Sequence, residues 1–195
     1  MRYTPLLREA FPKFADEFER TKLPSVMTRV TPEPSPTPAV CKERPEGWWK
    51  EPPFSEWVTD RGREPTAYEL YLDYILGRVM ASPRALEISS LPPTRLLQYE
   101  IVHPKRGVEY VRLHMNPTDV MEGPAEEEPD IIIRMSYYDL LAIFAGEITI
   151  FNAIYEGRAE QIGNVTAGLD QFDISEATNG REPIPRPKCW PRGHP

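Results

Sequence analysis

Cysteine is scarce in this chain. Cys41 and Cys189 are the only two, they sit in opposite proline-rich flanks, and so wide a separation forms no metal-ligand pattern. Two reduced thiols, or a bridge tying the flanks together, are the readings left open. Histidine is little more frequent: His103 and His114 fall near one hairpin and His194 at the C-terminal end, so nothing completes a metal site and no cofactor is implied. No G-x-S-x-G, phosphate loop or dinucleotide fingerprint occurs. Glu126, Glu127, Glu128 and Asp130 read as a solvated loop, because neighbouring like charges repel and favour water. The chain is therefore expected to bind rather than to catalyse.

Basic charge is also short. A formal net charge of -7 argues against phosphate-backbone binding, so nucleic acid is not an expected partner. A run of about 18 apolar residues, as a membrane-spanning helix requires, is missing because Asp139, Glu147 and Glu156 interrupt the most apolar region. The N-terminal residues lack the apolar core and cleavage site of a secretory signal, which points to a cytoplasmic location.

What the chain has in excess is proline. Its 23 prolines in 195 residues are more than twice the usual share of about 5%, so part of the chain must be extended. Residues 1–63 read as an arm, with a short amphipathic helix over residues 6–18 and a polyproline-type linker at residues 31–38. Trp48, Trp49, Phe54 and Trp57 follow within ten residues, and rings of that size are seldom left in water. They either extend the core or lie as a lid over it. Residues 176–195 form a second proline-rich tail.

Between the flanks, residues 64–175 carry regular periodicities. Thr66 starts a helix with Ala67, Leu70, Tyr71, Tyr74, Ile75 and Val79 at helical spacing. Two alternating runs around the turn Pro104-Lys105-Arg106-Gly107 predict a hairpin, with Leu97, Tyr99 and Ile101 on one face facing Val111, Leu113 and Met115. Residues 130–135 predict a buried third strand. Then comes SYYDLLAIFAG, with Ser136 and Asp139 as a helix start, Gly146 as its stop, and apolar residues on nearly every face. A helix apolar all round is buried on several sides or walls a cavity. A second short helix near Ile150, a short strand through Ala159 and Gln161, and a last short helix over VTAGLDQF complete the reading.

Met135, Ser136, Asp139, Leu140, Gly146, Ala153, Gly157, Gly163 and Asn164 stand at the spacing of the C-terminal half of the sterol carrier protein type-two family. The chain resembles that family over about residues 64–175. The resemblance implies an α+β fold, a twisted and mostly antiparallel sheet covered by short helices, with an apolar tunnel for a fatty acyl chain, acyl-CoA or sterol-like lipid. Under it the tunnel wall falls to Tyr99, Ile101, Leu113, Ile133, Leu141, Phe144, Phe151, Ile154, Leu169 and Phe172. The same residues could instead fill the interior and leave no cavity. Ala159 and Gln161 depart from the larger apolar residues usual at their positions; they would widen the cavity and give it a polar spot, or mark a changed interior. The expected partner is a lipid. The proline-rich arms leave room for a protein partner, and the basic tail with Arg181, Arg186, Lys188, Trp190 and Arg192 for an acidic partner or a peripheral contact with an anionic membrane.

Overall fold

The structure, a computed structural model, describes residues 42–183. The helix expected at residues 6–18, the linker at residues 31–38, both cysteines and the basic tail from Arg186 onward lie outside them, while Arg181 is engaged by Glu176 at 2.7 and 2.8 Å.

Alternation every second residue builds the sheet. Strands β1 (Arg95–His103) and β2 (Gly107–Met115) pair antiparallel with Leu97 opposite Leu113 and Tyr99 opposite Val111, which puts the expected apolar set on one face. The hairpin turn is closed by the buried His103, whose Nδ1 accepts the backbone N–H groups of Lys105 and Arg106 at 3.1 and 3.2 Å. β3 (Asp119–Glu122) extends the sheet beyond β2 and was not foreseen from the sequence. β4 (Ile131–Ser136) lies parallel to β1 on its other side, and β5 (Ala159–Gly163) pairs antiparallel with β4. The order β3-β2-β1-β4-β5 thus contains three antiparallel pairs and one parallel pair. On the outer face Arg134 bridges Glu100 and Glu160, each at 2.7 Å, across three strands.

Helices cover the inner face. α1 (Ala67–Tyr74) starts with the full reciprocal cap of Thr66 and Glu69. It then widens into a π turn over Ile75–Val79, closed by the Met80 N–H to the Ile75 carbonyl at 2.9 Å. α2 (Pro83–Ser89), also not foreseen, uses Ser82 as cap and proline in its first turn. α3 (Tyr137–Phe144), capped by Ser136, buries all eight of its residues. α4 (Ile150–Tyr155) is capped by Thr149, and α5 (Val165–Thr178) by Asn164. The last helix therefore runs fourteen residues and ends beyond the boundary expected at residue 175. Among the described residues, no helix is long and apolar enough to cross a membrane.

α3 is buried on every side because an N-terminal strap, residues 42–63, closes what the sheet, α1 and α5 leave open. Two 3-10 turns, Trp48–Lys50 and Phe54–Glu56, lay the expected aromatic residues into the core. Trp48 meets Phe54 at 4.7 Å and Tyr137 at 6.4 Å, while Trp57 meets Tyr74 at 5.6 Å and Phe144 at 6.2 Å, all in edge-on geometry. Polar ties fix the strap: Trp48 Nε1 donates to Glu64 at 2.9 Å, Trp49 Nε1 to Asp60 at 3.1 Å, and Arg61 grips the buried Asp73 with bonds of 2.6 and 2.9 Å. The π turn can approach because residue 77 is glycine; a Cβ there would stand 2.8 Å from the Cβ of Trp57. The packed layer thus continues on the N-terminal side of residue 64, since the aromatic cluster belongs to the same core as the sheet, as its reading as a core extension anticipated.

A chain beginning at residue 64 loses five buried apolar residues of the strap, Trp48, Trp49, Phe54, Trp57 and Val58. At about 1.5–3 kcal/mol each, their burial is worth on the order of 10 kcal/mol gross, as much as a whole domain's stability. That truncation is expected to abolish the cooperative urea transition shown by a chain beginning at residue 42. Equal midpoints would show that the strap is an accessory layer.

Candidate functional site

A cavity of about 60 Å³ lies between the inner sheet face, α1 with its π turn, α3 and α5. The sheet contributes Tyr99, Leu113, Met115 and Met135. Alternation sends these side chains inward, where neighbouring strands bring them side by side. α1 and the π turn contribute Tyr71, Tyr74, Ile75 and Val79, one helical face; α3 contributes Leu140, Ile143 and Phe144; Ile150 comes from α4, and Gln171, Phe172, Ile174 and Ser175 from α5. Ser89 and the exposed Thr118 complete the lining.

Stacked rings form its tightest wall. Tyr74 and Phe144 lie face to face at 4.0 Å with planes 4° apart, and Tyr71 meets Tyr99 at 4.5 Å and Phe144 at 4.9 Å. No lining residue carries a formal charge at neutral pH. Burial pushes the phenols of Tyr71, Tyr74 and Tyr99 above their ordinary range, so they remain protonated donors. The buried Tyr99 hydroxyl lies beside the Tyr71 hydroxyl without closing a well-shaped bond, and among the described residues Gln171 Oε1 is buried with no hydrogen-bond partner. The Tyr74 hydroxyl lies beside Ser175 and Thr178 without closing a well-shaped bond to either.

Four of the ten expected wall residues line this cavity: Tyr99, Leu113, Phe144 and Phe172. The other six do not. Ile101, Ile133 and Leu141 are buried in filled core, because the cavity occupies only part of the space between sheet and helices. Phe151 packs on Phe172 at 4.4 Å, one layer behind the wall. Ile154 and Leu169 are half-buried away from it. Gln161 is not the cavity's polar spot either, since it lies against α5 where a Cβ on Gly168 would stand 2.8 Å from its Nε2; Ala159 is buried without lining the cavity. Gln171 takes the polar position instead. The face of α1 was legible as apolar spacing, but its role as cavity wall was not, and no periodic signal marks Ser89 or Thr118.

His103 and His114 stand at opposite ends of the hairpin, opposite Gly107 and Leu96, so they cannot share a ligand. Among the described residues, no group of three or more His, Cys, Asp or Glu side chains could hold a metal ion. Behind the cavity Asp139 pairs with Arg158 at 3.0 Å, both buried, which anchors the first turn of α3 to the chain entering β5.

No protein-family model matches the chain, and no curated protein matches it. Among solved structures it is similar to sterol carrier protein 2 from Yarrowia lipolytica in its apo form, at 16% identity over 62% of this chain and 96% of that one, with a TM-score of 0.45. It is also similar to palmitated SCP2L2 from Aedes aegypti, at 21% identity over 57% and 96%, TM-score 0.43. The ubiquinone synthesis protein UbiJ-SCP2 is similar at 13% identity over 57% and 94%, TM-score 0.47. These are likenesses of fold.

Because the tyrosines ionise near pH 10 in the unfolded chain and higher in the folded one, the unfolded state loses protons first as pH rises. Their contribution is complete below about pH 10 and is lost above it, by about 1.4 kcal/mol per pH unit for each such tyrosine. Urea unfolding followed from about pH 9 to about pH 11 should show this decline, with a shallower slope in Tyr99→Phe. An identical slope in that variant would place the Tyr99 phenol in contact with solvent.

Proposed function

We propose that residues 42–183 bind a hydrophobic lipid in the cavity between the sheet, α1, α3 and α5, and hold or present it without chemical change. The observation that carries this reading is an uncharged, mostly apolar lining framed by a helix buried on every side. Such a lining is what a lipid requires. The resemblance to the sterol carrier protein type-two family, read from the sequence, points the same way.

At about 60 Å³ the cavity is smaller than the few hundred cubic ångströms a lipid occupies, so binding must part its walls. The place to part them is between the π turn and the C-terminal end of α5, where Arg78 donates to Asn179 at 3.0 Å and the half-exposed Ile75, Gln171, Ile174 and Ser175 flank the space. Separating the Tyr74–Phe144 stack costs about 0.5–1.5 kcal/mol beyond the area uncovered. Each methylene buried in exchange returns about 0.8 kcal/mol, so even a medium chain offsets the opening. The protein would act in the cytoplasm, with its proline-rich ends available to a protein partner or a membrane surface.

The small volume itself favours a second reading, a filled domain that serves as an interaction module. Exposed Leu76, Met80, Leu86 and Leu91 would then be partner contacts. Mass spectrometry of the gently purified full chain separates the two. A co-purifying lipid at near-stoichiometric amount, lost in the cavity-filling variant Leu113→Trp, is the expected result. Repeated absence of lipid, with no saturable tryptophan fluorescence change on adding long-chain lipids to the folded protein, would transfer the assignment to the interaction module.

A further inference from the structure

The sheet is open along part of one edge. β2 begins at Gly107, but β3 pairs with it only between Val111, opposite Glu122, and His114, opposite Asp119. One further bond follows, from the Gly123 N–H to the Tyr110 carbonyl at 2.9 Å. That bond shows that Tyr110 turns its backbone groups away from β1, and alternation makes Val108 do the same. Among the described residues, no backbone partner beyond β2 meets the Tyr110 N–H or either backbone group of Val108. Such an edge is a ready template for another strand.

The open edge is also the floor of a groove of about 240 Å³. Thr66 and Tyr68, in the cap and first turn of α1, form one wall, and Glu122 and Gly123 close the end where β3 stops. In strand addition to a sheet edge, backbone bonds give affinity and alternate side-chain positions give specificity. The groove shares no residue with the lining of the cavity.

Its chemistry says what kind of chain fits. Glu122 lies opposite Val111 and therefore on the face of the sheet that carries Glu109 and meets α1. Glu109 is already engaged by Arg106 and by the Ala67 N–H at 2.6 Å. Glu122, by contrast, is exposed and forms no salt bridge among the described residues, exposed Glu127 and Glu128 follow on the next loop, and the groove is lined by no cation. On the other face an added strand would lie beside the side chains of Val108 and Tyr110, which suits β-branched residues. A second copy of this chain is a poor occupant, because it would bring two acidic edges together at a formal net charge of -7 each.

We propose that the open edge of β2 is a docking site for an extended, basic segment of a partner protein, which adds to the sheet beside residues 108–110 in line with β3. Its lysine or arginine side chains alternate with β-branched ones, the basic set reaching Glu122 across Tyr68. This assignment stands apart from the lipid-binding reading, and either can fail without the other.

The test is a titration of the isotope-labelled full chain, followed by amide NMR, with an array of peptides of about seven residues in which lysine or arginine alternates with valine, isoleucine or threonine. The tightest member should shift the Val108 and Tyr110 amides saturably and slow their hydrogen exchange. Glu122→Lys should weaken it about fivefold or more, and N-methylation of the peptide amides about tenfold. Val108→Pro should abolish binding, since it removes an N–H that the sheet itself does not use. A circular dichroism melt checks that this variant is folded; if it is not, the Glu122→Lys and N-methylation arms decide. Glutamate-containing counterparts or N-methylated peptides binding as tightly would overturn the proposal, as would an array with no member that shifts these two amides. Slow exchange of both amides without peptide would also overturn it, by showing that a segment of this chain or a second copy already holds the edge.

Discussion

The stack of Tyr74 on Phe144, at 4.0 Å, is the contact on which the other layers depend. One ring belongs to α1 and the other to the last turn of α3, so the pair fastens the two helices that cover the middle of the sheet. Trp57 of the strap closes over both rings from outside, and Tyr71 meets Phe144 and is itself backed by Tyr99 on the sheet. Large rings in such a network exclude water over a wide area with few rotatable bonds, which gives a chain rich in proline a rigid centre. The strap cannot be removed without uncovering the stack, and the stack cannot part without disturbing the strap.

That arrangement would link stability to the proposed binding. The stack is both the keystone of the core and the tightest wall of the cavity, so under the proposed lipid-binding role a ligand would be admitted at a contact that also keeps the chain folded. Gly77 lets the π turn press against Trp57, and Arg78 in the same turn reaches α5 through Asn179. A single turn of irregular helix therefore meets the strap on one side and the opposite rim of the cavity on the other. Widened turns of this kind recur at functional sites because they re-aim side chains without breaking the helix. On the far side, the buried Asp139–Arg158 pair and the Ser136 cap hold the start of α3 in place, so that the proposed opening would fall at its C-terminal end.

Much of this was legible in the sequence. Period-two alternation located β1 and β2 and the inward set Leu97, Tyr99, Ile101, Val111, Leu113 and Met115, because a half-buried sheet enforces that pattern, and a short continuous apolar run located β4. Caps at Thr66 and Ser136 marked helix starts. What escaped had physical causes. β3 is four residues of edge strand, too short to show a period, and α2 exposes most of its face, so its periodicity is weak. The strap was read as an arm because 3-10 turns between prolines carry no regular spacing, although the clustered tryptophans were the correct warning. Within the site, alternation told which residues of β1 and β4 point inward but not which of them meet space and which meet side chains. Tyr99 and Leu113 face the cavity while Ile101 and Ile133 face filled core, a distinction set by where the helices cross the sheet.

The account's central claim is that the space beside the Tyr74–Phe144 stack opens to take a lipid. A crystal structure of the full chain grown with hexadecanol tests it most directly. The account predicts continuous ligand density bounded by Tyr99, Leu113, Phe144 and Phe172, with the two stacked rings moved apart and the strap still in place. A chain that saturates with hexadecanol in solution yet shows an intact stack, a cavity unchanged from about 60 Å³ and the ligand bound elsewhere on the surface would contradict it.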